Sequence, residues 1–60
     1  MTARNIIRFL KTDSWVEVRQ IGSHKQFKHP VKQGLVTVPC HSNDIAIGTL
    51  NSILNQAGLK

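Results

Sequence analysis

The spacing of apolar residues in this chain changes from a helical period to a strand period and then back to a helical period. Near the start, apolar residues recur three and four positions apart, which predicts an amphipathic helix over residues 3–12 with Thr2 as its N-cap. From Trp15 to Ile21, apolar and polar residues alternate, which is the pattern of a half-buried strand. The first third of the chain is therefore predicted to be a helix that leads into a strand.

Two more strand patterns follow with short connections. Gly22 and Ser23 are turn formers, and a second strand is expected over residues 24–29. Pro30 stops this strand because proline cannot donate to a sheet ladder. After a short loop, residues 35–40 are rich in β-branched side chains and predict a third strand. Three consecutive strands with short connections predict an antiparallel meander.

The chain ends in a second helical pattern. Leu50, Ile53, Leu54 and Ala57 recur at helical spacing, and Gly58 suits the left-handed position just past the end of a helix. The predicted order is helix, strand, strand, strand, helix. It gives an α+β fold in which two helices cover one face of a three-stranded antiparallel sheet and the other face stays open.

Size, charge and cysteine content limit the classes of function. Sixty residues predict one domain, residues 1–60, which is too small for a dinucleotide site or a lid. Nothing in the chain resembles a signal peptide or a membrane span, so a cytoplasmic location is expected. Cys40 is the only cysteine, so the fold is expected to hold without a disulfide. The net charge of +5 at pH 7 favours a polyanionic partner.

Three of the cations fall on one stripe of the first helix, at Arg4, Arg8 and Lys11. The stripe could follow an RNA backbone or meet acidic residues of a protein partner. It could equally be an ordinary solvent-facing surface. The sequence leaves these alternatives open.

The run from Gly22 to Phe27 sets a histidine at the mouth of the second strand. Imidazole, with an ordinary pKa of about 6.5, can take and return protons near neutral pH. If Phe27 points into the core, strand alternation places His24, Gln26 and Lys28 together on the open face. A proton carrier, an amide and a cation suit a phosphodiester, whose 2′-hydroxyl must be deprotonated and whose phosphoryl charge must be offset. This run is the candidate active site.

Three stretches occur in this order: the run from Trp15 to Phe27, the segment Val36-Thr37-Val38-Pro39 with His41 soon after, and the ending from Gly48 to Leu59. Together they resemble the HicA family, the small toxins of bacterial toxin–antitoxin pairs. The resemblance covers nearly the whole chain. It implies a double-stranded-RNA-binding-domain-like fold, cleavage of messenger RNA that arrests translation, and inhibition by a partner antitoxin, HicB. The family's catalytic histidine lies in a Gly-Ser-His motif, which matches Gly22, Ser23 and His24 without gaps, so the resemblance assigns catalysis to His24.

The sequence leaves two points open: the exit of the first helix and the role of the two large aromatic residues of the strands. Ser14 stands where many relatives have glycine, and a side chain disfavours left-handed backbone, so the exact exit of the first helix is not predicted. Trp15 and Phe27 could stack on unpaired bases or pack in the core, and the core is favoured for Phe27.

RNA contacts are predicted around the candidate histidine. Lys28 is favoured for phosphate binding because it shares the face of His24, whereas Lys25 and Arg19 could be only solvated. The full set of predicted RNA-binding residues is Ser23, Lys25, Gln26, Lys28 and Arg19.

No metal or cofactor is expected. His29 and His41 could join His24 as metal ligands or as a second acid, but the spacing around Cys40 matches no zinc pattern, and His29 is more often structural. The carboxylates are too few and too scattered for a two-metal nuclease, so cleavage is expected to survive a chelator. They are Asp13, Glu17 and Asp44.

The predicted function is that of a metal-independent endoribonuclease toxin that cuts messenger RNA with His24. Its expected partner is a HicB-like antitoxin that covers the sheet face bearing this histidine. One alternative is a non-catalytic double-stranded-RNA-binding module, although the start of the second helix, residues 46–49, lacks the lysine cluster that such modules usually carry. Another is a protein-interaction unit whose charge serves only its partner.

Overall fold

The computed structural model describes residues 1–40 and 44–60. The order of its elements confirms the predicted α-β-β-β-α architecture, which is compatible with a double-stranded-RNA-binding-domain-like fold. Neither of the two helices in the described part of the chain is long and apolar enough to cross a membrane. The elements are α1 (Ala3–Thr12), β1 (Val16–Ile21), β2 (His24–Lys28), β3 (Val36–Pro39) and α2 (Ile47–Gln56).

Strands β2 and β3 are shorter than predicted. Strand β2 ends before His29, because the chain there enters a loop whose N–H groups at Val31 and Lys32 bond to the histidine ring. Strand β3 is one residue shorter at each end than the predicted range of 35–40. The β-branched run therefore overestimates how far the ladder with β2 extends.

Helix α1 begins and ends with hydrogen bonds that its local sequence supplies. The Thr2 hydroxyl accepts the Asn5 N–H at 3.2 Å, as predicted for the N-cap. At the other end, the N–H groups of Ser14 and Trp15 donate back to carbonyls of the last turn, both at 3.0 Å. This Schellman motif places its penultimate residue in left-handed backbone, and Ser14 adopts that conformation with a φ of 79°.

Helix α2 ends in the same motif, built on glycine. Gly58 has a φ of 70°, as predicted from its place after the helical pattern. Its N–H donates to the Asn55 carbonyl at 3.1 Å, and the Leu59 N–H donates to the Leu54 carbonyl at 2.9 Å. Both helices thus end in a Schellman motif, with serine in the left-handed position of α1 and glycine in that of α2.

The sheet is antiparallel, with β2 between β1 and β3. Phe27 of β2 pairs with Glu17 of β1 and with Val36 of β3. The pairing with β1 shifts between Glu17 and Arg19, so Val18 has no partner in β2 and forms a β-bulge.

The core lies between the two helices and one face of the sheet. Both helices pack against β3, and every residue of β1 is exposed, so β1 is an uncovered edge strand. Trp15 and Phe27 are 1% and 0% exposed, which rules out base stacking and assigns both rings to the core. The largest fully buried side chains are Trp15, Phe27, Ile6, Leu10, Val36 and Val38.

Candidate active site

A two-residue hairpin turn presents His24. Gly22 has a φ of 58° and the φ of Ser23 is not positive, which is the backbone pattern of a type II′ turn. The Ser23 carbonyl accepts the Cys40 N–H at 2.7 Å and so ties the turn to the chain just after β3. His24 is the first residue of β2 and is exposed. The hairpin thus holds this imidazole at the mouth of the strand, where the sequence predicted it.

The sheet face that bears His24, called here the open face, consists of cross-strand rows. Directly paired residues of antiparallel strands point to the same side of a sheet. Neighbouring rows are two residues apart along β2, which corresponds to about 7 Å. Gln26 and Lys28 lie on this face, as predicted. From the turn outward, the rows are Ile21, His24 and Pro39; then Arg19, Gln26 and Thr37; then Val16 with Lys28.

The bulge at Val18 decides which charged residues of β1 reach the open face. With regular alternation, Glu17 and Arg19 would share one face, because they are two residues apart. Because Val18 is unpaired, Glu17 instead pairs with Phe27 on the helix-covered side, and Arg19 pairs with Gln26 on the open side. The structure therefore separates the carboxylate from the guanidinium.

Arg19 bonds to its cross-strand neighbour. Its Nε donates to Gln26 Oε1, with a distance of 2.6 Å between the two atoms. Strand alternation in the sequence gave no reason to prefer Arg19 over the other cations. Arg19 is distinguished from the other cations by the register shift, which places it on the open face and depends on how β1 pairs with β2.

Lys25 lies on the other side of the sheet. Its Nζ is 3.6 Å from Glu17 Oε1, and its side chain lines a shallow depression together with Arg4 and Ile7 of α1 and Cys40. Among the predicted RNA-binding residues on strands, Lys25 is the one that the fold does not bring onto the face of His24.

The basic stripe of α1 does not lie on the open face either. Arg4, Arg8 and Lys11 are exposed and line a shallow depression on the helix with Ile7 and Thr12. Because α1 packs against the covered side of the sheet, this stripe lies on the side away from His24. Its last residue, Lys11, lines a depression that reaches Val16 at the start of β1.

The open face is cationic and partly apolar, and it carries no carboxylate side chain. Of the three acidic residues in the sequence, Glu17 faces the helix side, and Asp13 and Asp44 lie outside the strands. Arg19 and Lys28 line one shallow depression with Val18 and Leu35, both exposed apolar residues. Such a surface offers charge for phosphates and apolar area for bases or for a protein partner.

His29 is held by the main chain. Its Nδ1 accepts the N–H groups of Val31 and Lys32, both at 3.0 Å, so its hydrogen lies on Nε2 and is donated to the Asp13 carbonyl at 2.6 Å. The ring also meets Trp15 edge to face, with 5.1 Å between centroids. His29 lies five residues beyond His24, about 16 Å along the strand direction. The alternative in which His29 serves as a second acid beside His24 is therefore wrong.

Asp13, Trp15, His29 and Lys32 form a cluster that we call the clasp. Lys32 Nζ lies 2.6 Å from Asp13 Oδ2 and donates to the Ala57 carbonyl at 2.9 Å, so it joins the end of α1 to the end of α2. The hydrogen bond from Lys32 is the main reason that the pKa of Asp13 lies below its usual value of 3.8. The clasp stabilises the fold at the end of β2 opposite to His24.

The structure describes only some of the residues that were considered as metal ligands. His41 lies outside the described residues. Within residues 1–40 and 44–60, no group of three or more histidine, cysteine, aspartate or glutamate side chains is placed to hold a metal ion.

Comparison with known proteins identifies one family. The model of the HicA toxin of bacterial toxin–antitoxin systems matches residues 3–59, which is nearly the full length of the chain. Among curated proteins, no sequence matches significantly.

Proposed function

Because the chain belongs to the family of HicA toxins of bacterial toxin–antitoxin systems, we propose that it is an endoribonuclease that cleaves messenger RNA, with His24 as its general base. The observation that carries this proposal is an exposed imidazole at a hairpin mouth, on a sheet face that holds two cations and no carboxylate. The location that fits this activity is the cytoplasm, where messenger RNA is translated.

The proposed step is an internal transesterification of the RNA. His24 takes the proton of a 2′-hydroxyl, the 2′-oxygen forms a bond to the adjacent phosphorus, and the bond from phosphorus to the 5′-oxygen breaks. The leaving 5′-oxygen takes a proton from water, and the imidazolium returns its proton to solvent. The products are a 2′,3′-cyclic phosphate and a free 5′-hydroxyl. A positioned base normally contributes about 10²- to 10⁴-fold to such a step.

The predicted RNA contacts divide between two sides of the hairpin. Lys28, Gln26 and Arg19 are proposed to contact the strand that is cut, because they share the face of His24, and Ser23 is proposed to contact it at the turn. Lys25 is proposed to meet RNA only where it passes beyond the hairpin to the helix side.

The antitoxin partner is proposed to be a HicB-like protein that covers the open face. A cationic surface with exposed Val18 and Leu35 suits an acidic partner that also buries apolar area. If the product of a neighbouring reading frame is small and acidic, it is the first protein to test. Charge reversal at Lys28 is expected to weaken both antitoxin binding and RNA cutting, and an effect on neither would contradict a shared surface.

Incubation of the purified protein with an end-labelled messenger RNA tests the function. We expect fragments that carry a cyclic phosphate and a 5′-hydroxyl, in the presence of a chelator as well as without it. A gel shift without cutting would instead support the double-stranded-RNA-binding module, and no effect on the RNA would support the interaction unit. The first turn of α2 contains no basic residue, which weighs against that binding module.

A further inference from the structure

Arg19 is a cation whose charge the fold leaves unneutralised beside His24. The bulge moves Glu17, the carboxylate nearest to Arg19 in the sequence, to the other side of the sheet, where it pairs with Lys25 at 3.6 Å. Within the described residues, Arg19 has no ion-pair partner. A β-bulge beside a candidate site re-aims a side chain, and here the re-aimed side chain is a guanidinium.

Gln26 fixes the direction of that guanidinium. The Arg19 Nε–H can only donate, so the Gln26 amide must present its oxygen to it and its NH₂ group elsewhere. This bond uses only Nε, so the N–H groups of the two Nη atoms can still donate to a ligand. They form the planar fork that matches two oxygens of a phosphate. The pair therefore offers hydrogen-bond donors and positive charge, the combination that an anion requires.

We infer that Arg19 binds the phosphate at which the RNA is cut and that Gln26 is its positioning residue, an inference that rests on the function proposed above. Their row is next to the row of His24, about 7 Å away along β2. The Arg19 side chain lies across β2, where it bonds to Gln26, and it lines the depression that contains Lys28. His24 would then face the 2′-hydroxyl next to the phosphate held by Arg19. Lys28, one row farther out, would meet a neighbouring phosphate of the same strand.

The chemical role of Arg19 is to stabilise the charge that develops on the two non-bridging oxygens while the 2′-oxygen attacks. A donor that strengthens its bond as charge develops lowers the barrier and so raises kcat, whereas a cation that only attracts RNA lowers KM. The separation of kcat from KM therefore distinguishes a catalytic arginine from a merely attractive one.

The experiment measures kcat and KM for cleavage of a labelled RNA by the full chain and its variants. Arg19→Ala is expected to lower kcat by about 10²- to 10³-fold. Arg19→Lys, which keeps the charge but loses the fork, is expected to lower it by at least about tenfold. As a control for the loss of one distant charge, Lys60→Ala is expected to stay within about twofold of the unaltered protein, because salt screens charges beyond about 8 Å.

A double-mutant cycle tests the role of Gln26. Gln26→Ala is expected to lower kcat by about tenfold because the fork is no longer aimed. Combined with Arg19→Ala, it is expected to lower kcat no further, since its effect on kcat acts through Arg19. Circular dichroism and urea unfolding of each variant verify that the sheet is intact.

Three results would overturn the inference. In the first, Arg19→Ala keeps kcat within about threefold and raises only KM, which would make Arg19 an attractive surface charge. In the second, the two substitutions lower kcat by factors that multiply in the double variant, which would show that Gln26 does not act through Arg19. In the third, the unaltered protein does not cut RNA, and then the proposed function and this role fail together; cleavage that is unchanged by Arg19→Ala would overturn this inference alone.

Discussion

Strand β2 has a histidine at each end, and the two rings lie in opposite surroundings. His24 begins the strand, exposed, next to a two-residue turn and on a cationic face. His29 follows the last residue of the strand, and its side chain is 9% exposed, with both ring nitrogens bonded to main-chain groups. A ring that is held in this way stabilises three segments of chain but cannot approach a substrate. Burial and main-chain bonding, rather than residue type, mark His29 as a structural histidine.

The largest expected effect comes from removing the exposed ring. His24→Ala is expected to lower the cleavage rate by about 10²- to 10⁴-fold, because the positioned base is lost. Its free energy of unfolding is expected to change by less than about 1 kcal/mol, since the side chain lies on the surface. Single-turnover cleavage and urea unfolding of the same preparation measure the two quantities. Cleavage at the parent rate by a folded variant would refute the assignment of His24.

At the other end of the strand, a substitution of His29 is expected to reduce stability and to leave the cleavage rate unchanged. His29→Ala is expected to lower the free energy of unfolding by about 2–3 kcal/mol, because the Asp13 carbonyl and two loop N–H groups lose their partners. That is a large part of the total stability of a domain of this size. The cleavage rate per folded molecule is expected to be unchanged.

His29→Asn serves as the matched control for that experiment. Its side-chain oxygen can accept the Val31 and Lys32 N–H groups as Nδ1 does, while the donor to Asp13 is lost. An intermediate loss of stability is therefore expected. If His29→Ala lowered the cleavage rate of the folded fraction and left stability intact, the distinction between the two histidines would fail.

The sequence predicts those parts of the fold and of the candidate site that depend on local patterns. It misses the parts that depend on how the strands pair. The helices, the hairpin turn and the exposure of His24 follow from periodicity and from Gly22 and Ser23, which act over a few residues. The position of Arg19 does not follow, because Val16 to Arg19 alternate regularly in the sequence, and only the register with β2 leaves Val18 unpaired. A bulge of this kind is set by packing across strands, not by its own residues.

The clasp was missed for a related reason. Asp13, His29, Lys32 and Ala57 come from four places in the chain, and nothing in their local spacing predicts that they meet. Ser14 adds a different lesson. The two helix ends use the same motif, but the left-handed position is taken by glycine in one and by serine in the other, so tertiary packing around Trp15 overrides the local preference at residue 14.

A smaller effect is expected from relieving that conformation. Ser14→Gly is expected to raise the free energy of unfolding by about 0.5–1 kcal/mol, because the relief of left-handed strain exceeds the added entropy of the unfolded chain. Thermal unfolding measures the gain, and cleavage is expected to stay the same because residue 14 lies at the clasp end. Gly58→Ser is the matched reversal and is expected to destabilise. The nearest atom to a new Cβ at Gly58 is Lys32 Nζ at 3.5 Å, an ordinary contact, so backbone strain and not crowding would be the cause.

The smallest effect concerns the pH dependence of the clasp. The Lys32 hydrogen bond lowers the pKa of Asp13 below 3.8 in the folded protein, so at acidic pH the unfolded chain binds more protons at this carboxyl than the folded chain does. Stability from this group is therefore fully present above the unfolded-state pKa and is lost as the pH falls through the lower, folded-state pKa. The advantage of the unaltered protein over Asp13→Asn in urea unfolding is expected to be constant above about pH 5 and to shrink below it. Because the pair is partly exposed, added salt is expected to reduce this advantage as well. Parallel stability curves for the two proteins down to the lowest pH would mean that the Asp13 and Lys32 contact contributes nothing to the clasp, leaving His29 and Trp15 to hold that end of the strand.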